Sequence, residues 1–417
     1  MEKVSLIKEN FKSFFRLGFF LFLLIPVALV TGPLITEIFA ILLILIFFFL
    51  IFKKKNYSIF RKYNFIIFVI FYLYLVFISF FSEDIFLSLK SSLFYFRFGF
   101  FYIAACYFLE YMDGRYKKII YFLFFFIFLI FFDALLQMIT GFNILNQKLL
   151  HASRASSFFG DELIMGSYTV RMLPIIICLI YFFKIEKLIN LLPLLWVISI
   201  GIILLSGEKN SLGLMIILSG IYFLFSNFSY KKKIITLLLV IFSCLIFINV
   251  FPTIKKRIFN NAITNSSFKY GFSRPHYSHY KSSYLMFLDK PIFGHGPKAF
   301  RVLCADEKFN VDKFSCSTHP HNMYFQLLSE MGFVGFLFVL SLWAYSAFRL
   351  LFLCFNCNRN NYNHQYIIFA SASIFINLFP ISTSGNIFNN WLSYVYFLSI
   401  SLFMYSLKNY KIKKIVN

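Results

Sequence analysis

Histidine is concentrated in one stretch of this 417-residue chain: five of its seven histidines, His276, His279, His295, His319 and His321, fall between residues 252 and 322. Imidazole titrates closer to neutral pH than any other side chain, so the cluster offers a general base, a proton shuttle or a metal ligand. Metal is the first chemistry to weigh. His319 and His321 stand two apart and His276 and His279 three apart, and neither pair comes with the Glu of a His-Glu-x-x-His helix. Asp306, Glu307 and Asp312 offer oxygen ligands, but in no recognised calcium spacing. The expectation is a site without metal. The run Thr318-His319-Pro320-His321-Asn322 stands where the chain enters an apolar segment at Met323, so its imidazoles would lie at the level of a membrane-bound head group.

Other reactive side chains divide by surroundings. Cys304 and Cys316 are the cysteine pair of the same stretch; Cys106, Cys178, Cys244 and Cys354 fall in apolar segments and Cys357 in a polar turn. An oxidising exterior permits a bridge between Cys304 and Cys316, closing a short loop just ahead of His319. Lys90, Arg97 and Arg171 lie inside apolar segments, and Lys90 and Arg97, seven apart, share one face if their segment is a single helix. Ionisable groups in a bilayer mark ligand or ion pathways unless they snorkel from a span end. Asp133 stands alone, without the carboxylate array that a proton-coupled transporter needs. His151 and Arg154 belong to a second polar segment, 140–162. The turn Ser206-Gly207-Glu208-Lys209-Asn210-Ser211 sets a cation beside small residues, which suits an anionic head group, although an ordinary polar turn is the simpler local reading.

These residues must be positioned by membrane helices. The chain is 60% hydrophobic and 14% charged, against about a quarter charged in soluble domains. Apolar segments long enough for spans begin near Phe14, Leu34, Phe65, Phe86, Ile119, Leu163, Leu188, Leu212, Ile234, Met323, Tyr366 and Ile387. The expected fold is all-α and polytopic, with about 12 transmembrane helices and one large extracytoplasmic loop. The division is N-terminal helices at 1–139, central helices with an outer loop 140–162 at 140–251, the loop at 252–322, and C-terminal helices at 323–417. Pro174 and Pro193 are expected to kink their spans. The basic, hydrophobic start reads as a retained span, because no small-residue cleavage site follows it.

Charge sorts by side. With a cytoplasmic N-terminus, inside segments hold 23 of the 40 Lys and Arg, and the short outer loops near 31–36, 82–85 and 380–390 hold none. The net charge of +23 therefore reflects topology more than a nucleic-acid groove. The exception is the loop 252–322, whose eleven cations against four acids leave a local +7 facing outward. A loop of that length in a compact body is usually functional.

His321-Asn322, nine residues, Gly332, two residues and Gly335 together resemble the His-Asn-x9-Gly-x2-Gly signature of the O-antigen ligase and polymerase superfamily of bacterial envelope proteins. Glu330-Met331-Gly332 is similar to members of that family. Pro291-Ile292-Phe293-Gly294-His295-Gly296-Pro297 is similar to their Pro-x-x-Gly-x-Gly turn. Ser206-Gly207-Glu208-Lys209 resembles a turn that more often ends in Arg, and Gly160-Asp161-Glu162 through Gly166, Arg171 and Pro174 resembles a further shared segment. The resemblance covers roughly residues 150–400.

The resemblance implies a metal-independent, inverting glycosyltransferase without cofactor in the bacterial inner membrane. It would move a glycan from an undecaprenyl-diphosphate carrier to an acceptor such as lipid A-core on the periplasmic face. Such transfer needs cations for the departing pyrophosphate and a base or positioning group for the acceptor hydroxyl. Lys209, Arg274, Arg171 and Arg154 are candidates for the first. His321 is the choice for the second, with His319 as nearest rival. A polysaccharide polymerase shares the donor and differs in acceptor, and transfer to a protein is a third outcome of the same chemistry. From another class, a flippase or transporter draws on the span count and on Lys90, Arg97 and Arg171, but the halves show no internal repeat.

Overall fold

The computed structural model describes residues 11–111, 114–260, 273–356 and 358–416. Cys357, and residues 261–272 of the long loop with Lys269, lie outside the described residues. Among the described residues the regular structure is helical, apart from two isolated β-bridges, Phe142 with Lys148 and His151 with Arg154.

Each apolar segment holds helix. The first half contains α1 (Lys12–Ala28), α2 (Pro33–Lys54), α3 (Tyr63–Ser79), α4 (Ile85–Ser92), α5 (Phe96–Tyr111) and α6 (Lys117–Thr140). The centre contains α7 (Met165–Phe182), α8 (Leu192–Ser206), α9 (Lys209–Phe225) and α10 (Tyr230–Val250). Inside the long loop lies α11 (Arg274–Asp289), followed by α12 (Met323–Asn356), α13 (Tyr362–Asn377) and α14 (Asn390–Val416). Seven helical stretches among the described residues are long and apolar enough to cross a bilayer, and α3, α8 and α9 are shorter apolar helices. A helix satisfies its backbone internally, which is what hydrocarbon demands. The chain is a membrane protein.

The helix α7 is the most enclosed candidate span, packed chiefly against α13. The helix α13 in turn meets α14, and α14 meets α5. By contrast α10 turns Ile234, Leu238, Phe242 and Leu245 outward, an apolar exterior suited to lipid. At one end of α5 and α14, Lys62 and Lys408 both pair with Glu110, at 3.1 and 2.6 Å. The opposite end carries the polar segments and the cavity described below.

Three expectations about helix continuity change. Pro193 sits in the first turn of α8, where its missing N–H costs no hydrogen bond, so it starts a helix and does not kink one. Pro174 does lie within α7. Lys90 and Arg97 belong to two helices and not to one: the 3-10 turn Leu93–Tyr95 separates α4 from α5, so their spacing of seven does not run along a single α-helix. Finally, α12 breaks at Gly332, whose φ of 61° and ψ of −166° are not helical.

The long loop builds a core of its own from Met286, Ala299, Phe300, Leu303, Cys304 and Phe309. The sulfurs of Cys304 and Cys316 are bonded.

Candidate functional site

The entry to α12 explains the most specific residues of the loop. Asn322 Oδ1 accepts from the backbone N–H of Tyr324 (2.9 Å) and Phe325 (3.1 Å), capping the helix. Its Nδ2 donates to the carbonyls of Pro380 (2.8 Å) and Ser382 (3.2 Å), clamping the segment between α13 and α14. Next to it, His321 holds a left-handed φ of 59°, a conformation that persists only where neighbours enforce it. The Ser384 N–H donates to the His321 carbonyl at 2.9 Å.

Both glycine motifs serve one backbone junction. Gly296 N–H donates to the Glu330 carbonyl (2.8 Å), and Phe333 N–H to the Pro291 carbonyl (2.8 Å). A Cβ on Gly294 would lie 2.5 Å from the Glu330 carbonyl carbon, and one on Gly332 would collide with Ile292 backbone. Glycine is required at both positions because two main chains touch there, each at positive φ. The buried Glu330 carboxylate accepts from Gln326 Nε2 (2.9 Å) and Phe300 N–H (3.2 Å), tying the core of the loop to α12. Gly335 is buried one turn beyond the break.

The turn between α8 and α9 is equally determined. Gly207 is left-handed, and a Cβ there would lie 2.5 Å from the Ser153 carbonyl oxygen. The Glu208 carboxylate accepts from the N–H groups of Gly166 (2.9 Å) and Ser167 (3.0 Å) and from Ser211 Oγ (2.9 Å), so it sits at the N-terminus of α7. Burial raises its pKa. Asn210 exchanges two hydrogen bonds with Thr383, at 3.0 and 3.1 Å.

These segments enclose a cavity of about 1170 Å³, above the ~300–1,000 Å³ of ordinary small-molecule sites. It draws on the α1–α2 junction, the 140–162 segment, the α8–α9 turn, the long loop and residues 383–392. Arg154, Arg171, Lys209 and Arg257 supply four cations, with Glu162 and Glu208 as the acids among the lining residues. His276, His319 and His321 line the same space.

The imidazoles form a continuous group. Ring centroids are 4.3 Å apart for His319 and His321, 5.3 Å for His279 and His321, and 5.6 Å for His276 and His321. His321 Nε2 lies 3.2 Å from Ser317 Oγ, and His319 Nδ1 lies 2.9 Å from Thr318 Oγ1. Burial, then the neighbouring imidazoles, pushes His321 down to about 4, and burial does the same to His319. Both rings are therefore neutral at pH 7 and able to accept a proton. Among the described residues no group of three or more His, Cys, Asp and Glu side chains has a metal-holding arrangement.

Of the expected site residues, His321, His319, Lys209, Arg171 and Arg154 line the cavity, and Arg274 does not. Arg274 is exposed, pairs with Asp312 at 3.4 Å and lies over the Phe314 ring. The local carboxylate and ring hold it away. His295 is buried in the loop core, 3.0 Å from the Met286 carbonyl and 3.4 Å from Asp289, so it stands apart from the other four. Arg97 pairs with Glu37 at 2.8 Å and donates to Asn390 at 2.7 Å. Asp133 accepts from Ile144 N–H (2.8 Å) and Ser157 Oγ (2.5 Å), organising the 140–162 segment. Arg257 was not singled out from the sequence; its signal was the run Lys255-Lys256-Arg257, which begins five residues after the end of α10. Four histidines meeting at one place was legible only as a count, because α11 carries His276 and His279 from 40 to 45 residues upstream.

Residues 194–340 match the model of a protein family described as O-antigen ligase. No curated protein matches the chain.

Proposed function

We propose, from the match of residues 194–340 to the O-antigen ligase family model, that this chain transfers a glycan from an undecaprenyl-diphosphate carrier to an acceptor hydroxyl. The observation that carries the reading is one cavity lined by Arg154, Arg171, Lys209 and Arg257 together with His276, His319 and His321. In this reading the chain has twelve spans with both termini cytoplasmic and the cavity faces the periplasmic side of the inner membrane; the sorting of Lys and Arg supports that orientation.

In this mechanism the diphosphate of the donor lies against the cations. The acceptor hydroxyl attacks the anomeric carbon from the face opposite the diphosphate. The new C–O bond forms as the bond to the diphosphate oxygen breaks, which inverts the anomeric centre and releases the carrier diphosphate. His321, neutral at pH 7, takes the hydroxyl proton, and the cations hold the negative charge that develops on the leaving group. Side-chain cations fill the role that a divalent metal plays in other diphosphate chemistry, so no metal or cofactor is invoked.

The test is transfer by purified protein from a lipid-diphosphate-linked glycan in EDTA. His321→Ala is expected to lose transfer by roughly 10²–10⁴-fold, the usual contribution of acid–base catalysis, while unfolding at the wild-type temperature. Transfer by that variant at the wild-type rate would remove His321 from the mechanism. Acceptor choice separates a ligase, which uses lipid A-core or a similar acceptor, from a polymerase, which uses a second lipid-linked glycan. In a deletion strain the ligase reading expects long glycan chains left on the carrier, whereas single repeat units on the final acceptor would indicate a polymerase.

A further inference from the structure

The four cations of the cavity differ in how much of their hydrogen-bonding capacity the protein already uses. A guanidinium carries five N–H donors. Arg171 donates from Nη1 to the carbonyl (3.0 Å) and Oδ1 (3.1 Å) of Asn377 and from Nε to Ser167 Oγ (3.2 Å), so it is tied on two sides. Arg154 donates from Nε to the Ser206 carbonyl (3.2 Å) and from Nη2 to the Leu163 carbonyl (2.8 Å). Arg257 Nε donates to the Gly207 carbonyl at 3.0 Å. Among the described residues its two Nη atoms meet no hydrogen-bond partner. Lys209, across the same turn, is a point charge without a fork.

Electrostatics makes the arrangement incomplete as it stands. Arg257 bears electrostatically on both Arg154 and Lys209. The acid of the turn, Glu208, attracts Arg154 and directs its hydrogen-bonding oxygens to Gly166, Ser167 and Ser211. Arg257 and Lys209 repel each other, and like charges gathered at one turn are relieved by a polyanion. The Nε anchor fixes the plane of the Arg257 guanidinium at the end of α8 and leaves its fork for a ligand.

We infer that Arg257 is the bidentate contact for the diphosphate in this cavity, working beside the point charge of Lys209, with Arg154 and Arg171 serving mainly to hold the walls. This rests on the reading of the cavity as a lipid-diphosphate site. It names a substrate-binding residue that the sequence motifs do not mark.

Inorganic pyrophosphate binding to the purified full-length protein tests the inference, with inorganic phosphate as the comparison. Wild type is expected to prefer pyrophosphate, and Arg257→Ala to weaken pyrophosphate binding by roughly 10- to 100-fold, as loss of one charge-assisted pair implies. Arg257→Lys keeps the charge and loses the fork, so most of that loss should remain; it also controls for the turn, provided that its unfolding temperature matches wild type. Adding Lys209→Arg to Arg257→Ala restores a fork at the same turn and should recover a large part of the affinity. Wild-type affinity in Arg257→Ala, or in Arg257→Lys, would overturn the inference. Donor transfer separates the two levels. Glycan transfer by wild type together with an unaltered donor KM in Arg257→Ala rejects Arg257 and leaves the proposed function standing. Pyrophosphate binding that depends on Arg257, without glycan transfer, keeps the anion contact and rejects the reaction.

Discussion

Replacing Asn322 separates two duties that its side chain performs at once. The oxygen caps α12 through Tyr324 and Phe325, and the nitrogen clamps the carbonyls of Pro380 and Ser382. Loss of an N-cap costs about 1 kcal/mol. Each neutral hydrogen bond contributes about 1 kcal/mol more, with a further penalty where a buried acceptor is left unpaired. Asn322→Ala should therefore destabilise the fold by about 3 kcal/mol. Because the clamped segment also holds the His321 carbonyl through Ser384, transfer should fall with it. Asn322→Asp keeps both acceptor bonds of the cap but turns a carboxylate oxygen toward two carbonyls. It should lose the clamp while retaining the cap, and should be destabilised by more than the two clamp bonds alone. Thermal unfolding of the detergent-purified variants, measured beside glycan transfer, reads both effects. Wild-type stability in Asn322→Ala, or wild-type behaviour of Asn322→Asp, would refute the clamp.

Four further outcomes follow from the same geometry. Since His321 is pushed down to about 4, the pH profile of kcat/KM should stay level from pH 7 to about 5 and drop as pH falls through about 4; a drop centred near the ordinary 6.5 of imidazole would contradict the buried site. The unfolded chain binds that proton more readily than the folded one, so stability should also decline as pH falls below about 6.5, which thermal unfolding across pH detects. Removing the Cys304–Cys316 bridge by the double Ser variant opens a loop with a sequence separation of 12 and should cost about 3 kcal/mol, with reductant lowering the unfolding temperature of wild type alone. Gly332→Ala drives a Cβ into Ile292 backbone at positive φ and should cost at least about 1–3 kcal/mol, measured as reduced unfolding temperature and reduced transfer together.

Much of this protein is one-dimensional information. Apolar segments of span length, the segments in which Lys and Arg collect, the paired Cys304 and Cys316, and the spacing from His321 to Gly335 are all properties of residues close in the chain. Hydrocarbon forces each such segment into helix whatever its neighbours do, which is why helix occurs in every apolar segment. The exceptions are local competitions that hydropathy does not register, such as the 3-10 turn between Lys90 and Arg97.

The composition of the site belongs to a different order. Asn210 and Thr383 meet across 173 residues, and Arg171 and Asn377 across 206, so no window of sequence contains the cavity. The same distance decides roles. Arg274 was as good a cation as Arg257 when read along the chain, but Asp312 and Phe314 engage the first, while the Gly207 carbonyl anchors the second at the cavity wall. Gly294 and Gly332 are turn signals in sequence; only the approach of two main chains shows that they are opposite sides of one contact. The sequence by itself determined that the imidazoles and most of the cations of the site sit in the polar segments of a membrane protein, with Arg171 inside an apolar one. Tertiary packing decided which of them share a space, because that depends on contacts between segments whose order in the chain carries no information about their distance.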